Sequence, residues 1–119
     1  MIRNRMKAPA FNDGVVKIYS VSNIAEPGKM PVETLELKYT LRYKERTVGL
    51  QRYYTALQAN ITVSHVLRCP FLRNVSTQDI AIPNDGQQYR IVQIQRPEDI
   101  DPPVMDLTLE RVTQDYEIS

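Results

Sequence analysis

The chain has 119 residues, a formal net charge of +1, 42% apolar residues and 24% charged residues, the proportions of a folded globular domain rather than a disordered segment. That length suits one domain and is short for two. The near-zero net charge lacks the basic excess expected of a protein that holds nucleic acid by neutralising phosphates, and a single cysteine, Cys69, excludes an intramolecular disulfide.

From the N-terminus, Met1 to Lys7 is basic, but no apolar run of signal-peptide length follows it. No stretch approaches the length of a membrane span. The expectation is a soluble protein made without an export signal, whose residues 1–13 form a flexible, proline-marked lead.

Gly14 admits a β-branched strand over Val15–Val21, and Asn23, Pro27, Gly28 and Pro31 punctuate the loop after it. From Val32 to Arg46 the alternation is the cleanest in the chain. Leu35, Leu37, Tyr39, Leu41 and Tyr43 are expected on one face, with Thr34, Glu36, Lys38, Thr40, Arg42 and Lys44 on the other. Fifteen residues span ~50 Å at about 3.3 Å each, far more than a domain with a radius of gyration of about 13 to 14 Å can hold straight. Either the strand bends around a small barrel or its end, Lys44, Glu45 and Arg46, projects as a partner-contact arm.

The periodicity then changes. Leu50, Tyr53, Tyr54 and Leu57 fall at the i, i+3, i+4, i+7 spacing of a helix. Thr47 can cap its start, although Leu50 stands where a Glu or Gln would complete a capping box, and Asn60 can end it. A helix of three turns is marginal alone and must pack on something. Its Gln51, Arg52 and Gln58 accompany two tyrosines, so the segment reads equally well as a contact surface or as a helix fastened to its own domain.

Alternation returns at Ile61, Val63, His65, Leu67 and Cys69, and Pro70 stops it. Asp79–Ile82 and Gln88–Gln95 flank Pro83-Asn84-Asp85-Gly86, a hairpin signal because Asp-Gly supplies positive φ. The second strand has apolar residues on both faces, Tyr89 and Ile91 against Val92 and Ile94, which marks a central strand or a bulge. An acidic loop, Pro97–Pro103, leads to a last alternating strand over Val104–Val112, and residues 113–119 read as a polar tail. The sum is a mainly β domain over residues 14–112, a small antiparallel β-barrel with one short helix inserted between strands.

Chemistry-bearing groups are sparse. His65 is the sole histidine and has no ligand at metal spacing. Cys69 reads as a small core hydrophobe rather than a nucleophile. Glu98, Asp99 and Asp101 lack an EF-hand's spacing and its glycine, and the four glycines are scattered singly, with no phosphate-cradling loop. No catalytic, cofactor-binding or metal-ligating residue is assigned, and an enzyme is not expected.

Val48-Gly49-Leu50-Gln51-Arg52-Tyr53-Tyr54-Thr55-Ala56-Leu57-Gln58-Ala59-Asn60, set between β patterns and followed by Gly86 and Tyr89-Arg90-Ile91-Val92-Gln93-Ile94, resembles the head-tail connector proteins of long-tailed bacteriophages. More narrowly it is similar to their small head-closure proteins, also called stoppers, head-tail adaptors or joining proteins. Tyr53, Tyr54, Ala56 and Gln58 match an "x-Tyr-Tyr-x-Ala-x-Gln" element, and Gly86, Tyr89 and Ile91 match "Gly-x-x-Tyr-x-Ile". The basic lead and the charged strand end Lys44-Glu45-Arg46 depart from the common form.

The resemblance, which spans roughly residues 14–112, implies a virion protein of the neck, assembled in the host bacterial cytoplasm as a homo-oligomeric ring. A portal or adaptor protein would sit above it, a tail-completion protein below it, and packaged double-stranded DNA in its channel, with no cofactor and no membrane. The segment from Thr47 to Ile61 would contribute to closing the channel, with Gln51, Arg52, Tyr53, Tyr54 and Gln58 at the subunit or channel interface. The alternatives are a tail-completion or tail-terminator protein and an oligonucleotide-binding type of barrel for single strands, for which base stacking on tyrosines would be the mechanism.

Overall fold

The computed structural model describes residues 6–7, 10–24, 28, 32–46 and 63–118. These residues are mainly β. Among the described residues nine strands run in chain order: β1 (Met6–Lys7), β2 (Gly14–Ile24), β3 (Val32–Arg46), β4 (His65–Pro70), β5 (Ile80–Ile82), β6 (Tyr89–Gln95), β7 (Ile100–Asp101), β8 (Val104–Arg111) and β9 (Glu117–Ile118). The helix expected at 47–60 lies outside the described residues.

Six of the strands pair in a closed circuit. β2 pairs with β5, β5 with β6, β6 with β8, β8 with β4, β4 with β3, and β3 returns to β2, all antiparallel. β3 completes the circuit because it is long enough for two jobs. Its residues Val32–Tyr43 pair with β2, while Lys44–Arg46 pair with Arg68–Val66 of β4. The charged end of β3 is therefore laid into the sheet and does not project as an arm.

The main core lines the inside of this circuit. Val16 and Ile18 of β2, Tyr43 of β3, Leu67 and Cys69 of β4, Ala81 of β5, Tyr89 and Ile91 of β6, and Met105, Leu107 and Leu109 of β8 form one buried cluster. They are the inward members of alternating strands, as burial on one face requires.

The single apolar face expected along β3 is split. Ile18 pairs with Tyr39, but Tyr19 pairs with Leu37, so Lys38 is an extra residue on β3. A bulge of one residue exchanges the faces of everything beyond it. Tyr39, Leu41 and Tyr43 face the main core, whereas Leu35 joins Tyr19, Ile80 and Val112 in a second cluster on the outer side and Leu37 is 57% exposed. Lys38 is held where it leaves the ladder, donating to the Asp79 carboxylate at 2.8 Å and to the Asn74 carbonyl.

The end of the chain closes this second cluster. Tyr116 packs against it. The Tyr116 amide donates to Gln88 Oε1 at 2.7 Å, and Gln88 Nε2 donates back to the Tyr116 carbonyl at 2.9 Å. β9 then pairs parallel with Thr34–Leu35 on the free edge of β3. The segment read as a polar tail is polar in composition but docked. The lead also has attachments: β1 pairs parallel with β7 inside the acidic loop, and the Asp13 amide donates to the Tyr43 carbonyl at 3.0 Å.

The hairpin forms between β5 and β6 as expected, with Gly86 at φ 73° and its amide bonded to the Pro83 carbonyl at 3.1 Å. β6 is both interior to the sheet and bulged. Ile91 pairs with Leu109 and Gln93 with Thr108, leaving Val92 extra.

Candidate functional site

All six circuit strands have one end in common. The start of β2, the end of β3, the starts of β4 and β6, and the ends of β5 and β8 meet there, as the registers Gly14↔Tyr43, Arg46↔Val66, His65↔Leu109, Tyr89↔Arg111 and Lys17↔Ile82 require. Residues 47–62 connect two neighbouring strands at this end: the chain leaves after Arg46 and returns at Val63. The Pro83–Gln88 turn lies at the same end.

His65 stands at its centre. As the first residue of β4 it shares the inward face of Leu67 and Cys69, but at the rim, where its side chain stays 31% exposed. Nδ1 contacts the Glu45 carboxylate from β3. Nε2 lies 3.1 Å from the Tyr89 hydroxyl of β6 and 3.6 Å from Asp85 Oδ2 in the turn. The Tyr89 hydroxyl donates to Asp85 Oδ2 at 2.6 Å, and the two rings meet edge to face at 5.1 Å between centroids, a favourable aromatic geometry.

Burial, followed by the hydrogen bond and charge of Asp85, pushes the Tyr89 phenol up to about 12. Burial is also the main cause of the raised Tyr43 phenol beneath it, and the neighbouring carboxylates of Glu45, Asp85 and Asp13 act in the same direction. Both phenols are therefore neutral at ordinary pH, and Tyr89 donates to Asp85. The arrangement ties three strands and a turn together around the point where residues 47–62 depart.

A second clamp joins the lead to the turn. Asn84 Oδ1 accepts from the Val15 amide at 3.0 Å, and its Nδ2 donates to the Asp13 carbonyl at 3.4 Å. A Cβ at Gly14 would overlap the Asn84 side chain, which explains glycine there. Asp13 Oδ2 accepts from the Glu45 amide at 2.7 Å.

The contact residues expected from sequence divide accordingly. Gln51, Arg52, Tyr53, Tyr54 and Gln58 lie outside the described residues. Of the strand end, Lys44 is exposed, Glu45 reaches His65, and Arg46 reaches Asp106 Oδ2 at 3.3 Å. Asp106 is buried on the outer face of β8 and takes a bidentate pair from Arg68, Nε to Oδ1 at 2.7 Å and Nη2 to Oδ2 at 2.9 Å. The sequence marks His65 as a packed or hydrogen-bonded structural histidine without showing its partners. Its partners Glu45, Asp85 and Tyr89 come from other strands, and only the cross-strand register brings them together.

Among the described residues, no group of three or more His, Cys, Asp and Glu side chains is arranged to hold a metal ion. No helix there is long and apolar enough to cross a membrane. Cys69 is fully buried, and burial pushes its thiol up to about 12. No family model and no curated protein matches the chain.

Proposed function

We propose that this chain is a structural protein of a phage neck, a small β-barrel that assembles as a ring, completes the filled head and joins it to the tail. The observation that carries the reading is the position of residues 47–62, the stretch with the "Tyr-Tyr-x-Ala-x-Gln" element. It departs from one rim of the strand circuit between adjacent strands β3 and β4. A segment in that place can be presented toward the axis of a ring without disturbing the core, and the His65 cluster holds its two roots together.

On this account the barrel is a rigid mount. Glu45 precedes the segment by two residues, His65 follows it by three, and their contact fixes the span between the two ends. Gln51, Arg52, Tyr53, Tyr54 and Gln58 then make the subunit or channel contacts. The near-neutral net charge suits a channel through which DNA slides without being gripped. Portal or adaptor protein binds above, and the tail-completion protein binds below.

Gold-labelled antibody against the chain, viewed on whole virions by electron microscopy, tests the assignment. Label at the junction of head and tail is expected. Label confined to the capsid shell or tail tip, or absent from virions, contradicts it.

A further inference from the structure

β5 stops short of both its neighbours. It is three residues long and joins β2 at Lys17–Tyr19 on one side and β6 at Tyr89–Arg90 on the other. β2 runs on past it to Ile24, and β6 to Gln95. The chain before β5 does not accompany them, because residues 76–79 make a tight turn. There the Asp79 amide donates to the Ser76 carbonyl at 3.1 Å and the Ser76 amide to Asp79 Oδ2 at 2.9 Å. Among the described residues, no backbone hydrogen bond reaches residues 21–24 or 92–95 from this side. Their other edges are paired, β2 with β3 and β6 with β8. Two bare strand edges therefore flank the line of β5 beyond Ile80.

A cleft of about 440 Å³ opens at the head of that line. Val21, Ile80, Val92 and Tyr116 give it apolar walls, and exposed Gln78 and Arg90 add polar groups. Its charged side chains are already engaged, Arg90 with Glu110 at 2.7 Å and Asp79 with Lys38 at 2.8 Å. The cleft is therefore complementary to an uncharged, aliphatic side chain. The edges beside it are complementary to an extended backbone, which supplies the amides and carbonyls that a bare edge lacks. The cleft adjoins the start of β5, whereas residues 47–62 leave from the rim where β5 ends.

We propose that this slot takes an extended segment of a different protein, added as a strand in line with β5, with one aliphatic side chain in the cleft. Strand addition of this kind draws affinity from main-chain hydrogen bonds and specificity from the pocket beside them. A second copy of this chain is the poorer donor. All nine described strands are paired within their own copy, so giving one up would cost the bonds it already makes. The inference goes beyond the neck reading and does not depend on it.

The test uses the full chain and random heptapeptides selected against it by messenger-RNA display. The selected peptides are expected to slow amide exchange at residues 21–24 and 92–95, read by hydrogen–deuterium exchange with mass spectrometry, and to lose binding when alternate peptide bonds are N-methylated. Val92→Asp or Val21→Asp, whichever retains native circular dichroism, should bind the same peptide at least ~10-fold more weakly, since the peptide would bury a carboxylate with no partner. Selection of no binder, peptides that bind while those amides exchange as before, or unchanged binding by a folded variant overturns the proposal. Protection of the same amides by self-association of the native chain, read by native mass spectrometry, overturns the assignment of the slot to a different protein.

Discussion

Asp106 is a buried carboxylate that accepts from two arginines. Its carboxylate is 5% exposed and accepts the Arg68 fork in two charge-assisted bonds, with Arg46 beside it. Removing one member of a buried pair leaves the other desolvated and uncompensated. Asp106→Asn should therefore lower the unfolding free energy by about 3 kcal/mol, measured by urea denaturation. Two residues on, Thr108 is buried and its Oγ1 has no hydrogen-bond partner among the described residues. Thr108→Val should leave stability unchanged or raise it, because an unpaired buried hydroxyl only costs free energy. Tyr89 gives a pH signature. Its phenol is raised from 10 to about 12, so between those values the folded state binds the proton that the unfolded state has released. Stability held below pH 10 should fall as pH rises toward 12. The Tyr89→Phe variant should show a shallower alkaline loss, and an identical loss would contradict the assignment.

At the scale of elements, β3 shows both what alternation conveys and where it stops. Its bounds, Val32–Arg46, coincide with the alternating run, and the Asp-Gly hairpin and the irregularity of β6 also follow from local residues. The sidedness of β3 does not follow. A bulge leaves no mark on the apolar pattern when the residues beyond it are buried against something else, and here that something is Val112 and Tyr116, more than 70 residues later. The same long-range contact explains why 113–119 reads as a tail: one aromatic and one glutamine-mediated attachment are invisible without the register. Ending the chain after Thr113 should remove the Tyr116 packing, both Gln88 bonds and β9, costing about 2 kcal/mol or more. Thermal unfolding of the shortened chain should show the lower midpoint, and an unchanged midpoint would mean that the attachment adds no stability.

For the molecule as a whole, the circuit of strand pairing is what the sequence conveyed least. A mainly β chain was legible from periodicity. The order β2-β5-β6-β8-β4-β3 was not, because it depends on pairings between strands distant in sequence. The cluster of Glu45, His65, Asp85 and Tyr89 is a product of that order. The functional proposal rests on the resemblance carried by Tyr53, Tyr54, Ala56, Gln58, Gly86, Tyr89 and Ile91. The proposed role, completing the head and joining it to the tail, is tested by deleting the gene from the phage and examining the lysate by electron microscopy. Separate heads that have lost their DNA are expected alongside free, complete tails, with joining restored when the chain is supplied in trans. Joined, DNA-filled, infectious virions from the deletion would contradict it.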